Sequence, residues 1–418
     1  MQADLLPAPV RVCQRQTLEL RNANWFDGNK FERGTWFVDE AGRFTRNRPA
    51  HIERVLSLQH RFLVPAYGDA HCHNFSHLAD LDKQTSLYIH DGVLSAKSMT
   101  DPRRTAVEAA GQLHRWGDPL NIAYAHGGLT GTRSHPAGIY ESIALGYHGE
   151  TKPEHAQQID ASRLEENDAY FVIDTRADLE RKWPLILAGK PDFIKVYLLD
   201  TENYREHVQQ GYGLGLNPEL LPLVVQKAHA AGLRVSAHIN TAHDFHVGVI
   251  SGIDEFAHAP LVFAKGDMLE RMYKIHSEDA RQAAAQHISL TLTLFASDYQ
   301  TGDPNLDELH RRLTKYNVEL LRSSGVHLAL GFDGYNTDSV GEVQVIRNLH
   351  LFSDTELLRL WSTDTVHAIF PGRKIGSIAE GDEATFLILA GNPLRDFSNT
   401  QRIEHRFITG QELLLRGR

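Results

Sequence analysis

The chain has 418 residues, 42% apolar and 23% charged, with a net charge of −10. This is an ordinary globular balance, and it gives no electrostatic reason to expect nucleic acid or an anionic membrane as a partner. No apolar run is long enough for a membrane helix, residues 1–10 lack the basic-then-apolar pattern of a secretory signal, and just two cysteines, Cys13 and Cys72, exclude a disulfide framework and point to the cytoplasm.

Residues 17–23, 34–38 and 52–58 read as short strands, separated by turn-formers such as Asp27-Gly28-Asn29. Extended runs at 385–389 and 403–409 match them at the far end. Both ends are therefore expected to join in one small β domain, residues 1–61 with 368–418. In the middle, 62–367, strands are predicted at 61–66, 92–95, 121–125, 192–197, 234–237, 253–257, 288–294 and 326–330. Amphipathic helices at 106–116, 219–231 and 306–323 fall between several of them. Repeated strand–helix units demand a parallel sheet. The expected fold class is α/β, a (β/α)8 TIM barrel with a small β-sandwich-like domain formed by both chain ends. An open doubly wound sheet is the competing arrangement. Residues 127–165, polar and rich in Gly, His and Pro, read as a long connection at the catalytic end, where such segments shape pockets, or as a decorative loop.

The chemistry is carried by residues at strand ends. His71 and His73 form a His-x-His pair on extended chain, so both rings project the same way and supply half of a borderline-soft divalent site. Cys72 between them points the other way, as packing. Lys195 lies inside the apolar run Phe193-Ile194-Lys195-Val196-Tyr197, where an unpaired ammonium is costly. Either its amine reaches solvent or an ion pair at the strand end, or it carries a carboxyl group derived from carbon dioxide, which turns it into an anionic bridge between two metals. His238 and His258 close two later strands, and Asp333 follows the last. One such residue alone is usually a structural hydrogen-bonding group. The set His71, His73, Lys195, His238, His258 and Asp333, spread over five predicted strand ends, is what a barrel uses to assemble a catalytic site.

With these residues on the page, the sequence resembles the amidohydrolase superfamily over nearly its whole length. The likeness runs from the entry segment Leu18-Glu19-Leu20 through Asp27-Gly28 to the tail Ile375-Gly376 and Gly391-Asn392-Pro393-Leu394. Within the superfamily, Pro191-Asp192-Phe193-Ile194-Lys195-Val196 is most similar to the prolidase and imidazolonepropionase-like branch. The resemblance implies two divalent metal ions, commonly zinc, a carboxylated Lys195, and members that often form homo-oligomers. Three positions depart from the usual pattern: Cys72 for Thr, Phe332 for Thr beside Asp333, and Thr385 for Asp.

The expectation is a binuclear hydrolase acting on a small-molecule substrate. His71, His73 and Asp333 hold one ion, His238 and His258 the other, and carboxylated Lys195 bridges them. Asp333 moves the proton of a bridging hydroxide, and the bond cleaved is the C–N bond of an amide, dipeptide, N-acyl amino acid or cyclic amide. Tyr197, on the Lys195 face of its strand, is expected to reach the substrate carbonyl or to pack as an aromatic. His126, just after the third strand, is expected to line the pocket, and Arg133, His135 and Tyr140 leave room for a substrate carboxylate. The alternatives are a mononuclear deaminase, against which Lys195 speaks, and a non-catalytic metal-binding scaffold.

Overall fold

Strands from both chain ends build one nine-stranded sheet, as their alternating apolar patterns require. Its order is Val10–Val12, Gln411–Leu415, Ile403–Ile408, Phe386–Leu389, Phe62–Pro65, Leu18–Phe26, Phe31–Val38 and Phe44–Thr45, with Arg54–Ser57 paired beside Leu18–Phe26. Period-two alternation puts Leu18, Leu20, Trp36, Val38, Phe386 and Ile388 into a common core with Phe44, Leu63 and Phe407. Phe386 stacks on Phe407 at 4.5 Å and meets Phe44 at 5.4 Å. The computed structural model describes residues 8–147, 153–211, 215–260, 269–297 and 303–416. It divides into two compact units, the first made of residues 1–97, 108–122 and 329–418, the second of 98–107 and 123–328.

The first unit also holds the entry into the barrel strands, and here one expectation is corrected. The extended run at 61–66 is not the first barrel strand. Phe62–Pro65 pairs antiparallel with Phe386–Leu389 in the end sheet. The chain changes sheets within two residues: Ala66 N donates to Thr385 O at 3.2 Å, and Tyr67 N donates to Gly92 O at 3.0 Å. Tyr67–Cys72 is then the first barrel strand, in a three-stranded sheet with Val93–Ser98 and Asn121–Tyr124. Tyr67 anchors the change of direction, its ring stacked 3.7 Å from that of Trp361 and its hydroxyl donating to Thr400 O at 3.0 Å. Gly68 is obligatory, because a Cβ there would lie 2.8 Å from Thr365 Cγ2.

The second unit carries the parallel sheet, ordered Tyr170–Val172, Gly128–Thr130, Ile194–Tyr197, Val235–His238, Glu255–Phe256, Ser289–Leu292 and His327–Leu330, with the unit boundary falling inside the last. The first six pair in parallel. Parallel neighbours need crossovers, and the helices Arg176–Ala188, Leu221–Ala230, Ala242–Ser251, Ser277–Ala285 and Pro304–Ser324 supply them. Ile194–Tyr197 and Ser289–Leu292 are buried along their full length, as strands covered on both faces must be. Strand three is broken: Asn121–Tyr124 stops, His126 takes a φ of +56°, and Gly128–Thr130 resumes. Counted so, and with Tyr170–Val172 set apart as an added edge strand beside Gly128–Thr130, eight strands follow one another with helices between them, the succession of a (β/α)8 barrel. Residues 127–165 are no plain loop, for they contain the helices Ala137–Ala144 and Ala156–Ala161. Among the described residues, no helix is long and apolar enough to cross a membrane.

Candidate metal centre

In the first unit, Asp69, His71 and His73 share one face of an extended segment, as a period of two dictates. Asp69 is buried and acts as a clamp. Its Oδ1 accepts from His71 N and Phe332 N, each at 3.2 Å, and its Oδ2 accepts from the Tyr88 hydroxyl at 2.9 Å. Asp333 N donates to His71 O at 2.8 Å. The main chain beyond His327–Leu330 is thereby stitched to the His-x-His segment, with Asp333 at a φ of +58°, a left-handed conformation that aspartate tolerates better than most non-glycine residues. Its Oδ1 lies 3.1 Å from His71 Nε2 and 3.3 Å from His73 Nε2. The three side chains offer donor atoms that all lie within 4.8 Å of one another, the separation and the nitrogen–oxygen chemistry that a tetrahedral divalent ion uses.

Electrostatics follow the geometry. Burial works to raise the Asp333 carboxyl, but the imidazoles of His71 and His73 outweigh it and hold it well below the usual range. Burial pushes Asp69 the other way, up to about 7, against the three hydrogen bonds it accepts. Phe332 does not disturb this arrangement. It sits against two glycines, where a Cβ on Gly334 would fall 2.7 Å from its ring and one on Gly341 2.5 Å. Cys72 is buried and in no disulfide, in keeping with a packing role.

In the second unit, Lys195 is 1% exposed in the middle of the parallel sheet. Tyr197 lies on the same face, its ring centre 5.5 Å from Lys195 Nζ. Gly128 makes room for both, because a Cβ there would meet the Tyr197 ring at 2.5 Å. On the next two strands, His238 Nδ1 and His258 Nε2 stand 2.7 Å apart. That separation is a hydrogen bond between the two rings. Their outer nitrogens each face an oxygen: His258 Nδ1 is 2.9 Å from Ala259 O, and His238 Nε2 is 3.1 Å from Asn240 Oδ1. Oxygen acceptors at the outer nitrogen orient an imidazole in the same way when its inner nitrogen binds a metal.

The remaining expected residues fall in two groups. Tyr197 is fixed beside this pair, its ring 5.2 Å from His238 and its hydroxyl bonded to Thr100 Oγ1. His135 stacks on His238 at 4.9 Å. Tyr140, in contrast, is structural: it is buried and donates to Thr100 O at 2.7 Å. His126 belongs to another neighbourhood, with its ring stacked 5.6 Å from Tyr124 and its carbonyl accepting from Asp101 N at 3.1 Å. Burial lowers its pKa, and Asp101 opposes that shift. Sequence reasoning passed over Asp69, although its period-two spacing from His71 and His73 was visible. It also passed over Asp101 and Asn240, whose importance depends on partners that the spacing does not reveal.

No protein-family model matches this sequence, and no curated protein matches it at a significant level. Solved structures do. The ochratoxinase of A. niger shares 15% identity and a TM-score of 0.71, over 96% of both chains. A prolidase complexed with N-methylphosphonate-L-proline shares 14% identity and a TM-score of 0.66, over 96% of this chain and all of that one. An amidohydrolase shares 17% identity and a TM-score of 0.65, again over 96% of this chain and all of that one. At such identities the likeness establishes the fold, and it is the fold that the amidohydrolase resemblance implied.

Proposed function

We propose that this chain is a metal-dependent hydrolase of carbon–nitrogen bonds, acting on an amide, a dipeptide, an N-acyl amino acid or a cyclic amide. The observation that carries the reading is the donor chemistry. His71, His73 and Asp333 converge within 4.8 Å, and His238 and His258 bring two ring nitrogens within 2.7 Å of each other, with oxygen acceptors at the outer nitrogens. The names of the structural neighbours support the choice of bond, since a prolidase and an amidohydrolase are among them.

His71, His73 and Asp333 would hold one divalent ion, zinc by the nitrogen-rich donor set. His238 and His258 would hold a second. Lys195 joins that second set once carbon dioxide has carboxylated its amine, which also answers the cost of burying an ammonium in an apolar strand. Bound there, divalent ions supply Lewis acidity, lowering the pKa of water and polarising a substrate carbonyl. The protein's own groups do the rest. Asp333 accepts a proton from the attacking water and returns it to the leaving nitrogen. The Tyr197 hydroxyl, positioned by Thr100 beside His238, donates to the carbonyl oxygen as charge develops there. His126 contributes a polar group at the break in strand three. A cytoplasmic location is part of the proposal, supported by the two cysteines standing outside any disulfide.

The test is turnover of paired amide and ester libraries by zinc-supplemented protein, beside the Asp333→Asn variant. Hydrolysis of an amide that disappears in the variant upholds the reading. Metal binding without any turnover would sink it in favour of a scaffold.

A further inference from the structure

Within the first unit the chain leaves Asp333 through Gly334-Tyr335-Asn336. The Tyr335 ring stacks on His73 at 5.5 Å, with the two planes 29° apart. Tyr335 is nevertheless 51% exposed, so an aromatic ring lies on a candidate metal ligand and still offers much of its surface to solvent. A single exposed aromatic needs no explanation by itself. What sets this one apart is where it stands and how its loop is held.

Buried amide side chains tie the loop down. Asn336 N donates to Asn74 Oδ1 at 2.8 Å, Asn74 Nδ2 donates to Thr337 O at 2.7 Å, and Gln84 Nε2 donates to Asn336 Oδ1 at 2.6 Å. Asn74 and Gln84 are both buried. Further along, Ser339 Oγ donates to Gly68 O at 3.0 Å and accepts from Trp361 Nε1 at 2.8 Å. Asn74 Nδ2 also donates to the Tyr88 hydroxyl at 3.1 Å, and that hydroxyl donates to Asp69. The frame that fixes His71 and Phe332 through Asp69 therefore also fixes the residues that follow Tyr335. A tyrosine on a loop held in this way supplies a large contact area at low entropic cost, because just two side-chain torsions remain to be ordered.

We infer that Tyr335 is a specificity-determining platform, on which an aromatic ring of the substrate stacks beside the ion that His71, His73 and Asp333 would hold. The inference rests on the hydrolase reading and narrows it to amides that carry an aryl group close to the bond that is cut. A carbonyl drawn to that ion has its substituents one imidazole away from Tyr335. Aromatic rings pair through offset-stacked or edge-to-face contacts that add to the burial of apolar area. A saturated ring of the same size gains the burial alone.

Calorimetry on the zinc-loaded chain tests this with hydroxamic acids, which bind zinc whether or not any amide is turned over. Benzohydroxamic acid against cyclohexanecarbohydroxamic acid probes the acyl side. N-phenylacetohydroxamic acid against its N-cyclohexyl counterpart probes the leaving side. In at least one pair the aryl compound should bind roughly 3- to 10-fold more tightly, the range of an aromatic pair. Tyr335→Leu should erase that preference at unchanged melting temperature, and Tyr335→Phe should keep it. Equal binding within both pairs, no binding of any of the four, a preference that survives Tyr335→Leu, or one that is lost in Tyr335→Phe would each overturn the assignment. A preference erased by Tyr335→Leu in a protein that turns over no amide would instead refute the hydrolase reading and leave the platform standing.

Discussion

The two sets of candidate metal ligands are built on different principles. In the first unit, position is imposed through the backbone. Asp69 clamps the amides of His71 and Phe332, and Asp333 N is bonded to His71 O. In the second unit, the rings themselves are held, with the Ala259 carbonyl and Asn240 Oδ1 orienting His258 and His238. Clamps on the backbone amides set where a ligand atom lies, whereas acceptors at the ring nitrogens set which nitrogen donates. The first set should therefore tolerate little change in geometry, and the second should be sensitive to substitutions that leave geometry intact.

Three substitutions exploit that difference, and a fourth tests the buried acids behind the first set. Asp333→Ala removes both a ligand and the proton carrier, and should lower kcat on the order of 10³-fold while releasing metal. A variant that keeps half its activity would refute Asp333 as a catalytic element. Lys195→Ala should cost about one ion per chain and roughly 100-fold in activity, and unchanged metal content would exclude Lys195 from the ligand set. Asn240→Ala removes no proposed ligand, yet by taking away the acceptor at His238 Nε2 it should weaken metal affinity about 10-fold. A metal titration that cannot distinguish it from the parent would break the tautomer argument.

The smallest effect concerns Asp338, a buried carboxyl in the first unit that burial, with Asp91 adding, pushes up to about 8. Its ordinary value is 3.8, so the fold favours the protonated acid. The stability it contributes is complete below that ordinary value and is lost as pH rises toward 8. Asp338→Asn imitates the protonated form, so its melting temperature should fall less than the parent's between pH 5 and 8. Parallel pH profiles would contradict the assignment.

Much of this was legible in the sequence because strand periodicity and strand-end chemistry are local. His71 and His73 announce their common face by spacing alone, and Lys195 stands out because an unpaired ammonium is costly inside an apolar strand. What escaped was non-local. No turn residue separates Pro65 from Tyr67, so a single extended run conceals a passage from one sheet to another, and the predicted strand at 61–66 fell on the wrong side of it. The Asp69 clamp reaches Phe332, 263 positions away, beyond what periodicity reports. His126 breaks strand three through a left-handed backbone that its residue type does not require. The helices within 127–165 went unread because Gly, His and Pro mask the short apolar face of Ala137–Ala144.

Metal per chain, measured by elemental mass spectrometry on protein purified without chelator or affinity tag, tests the central claim most directly. The account predicts about two ions per chain, predominantly zinc, falling to about one in Lys195→Ala. Protein that takes up no metal, even when supplied with zinc and bicarbonate, would contradict it.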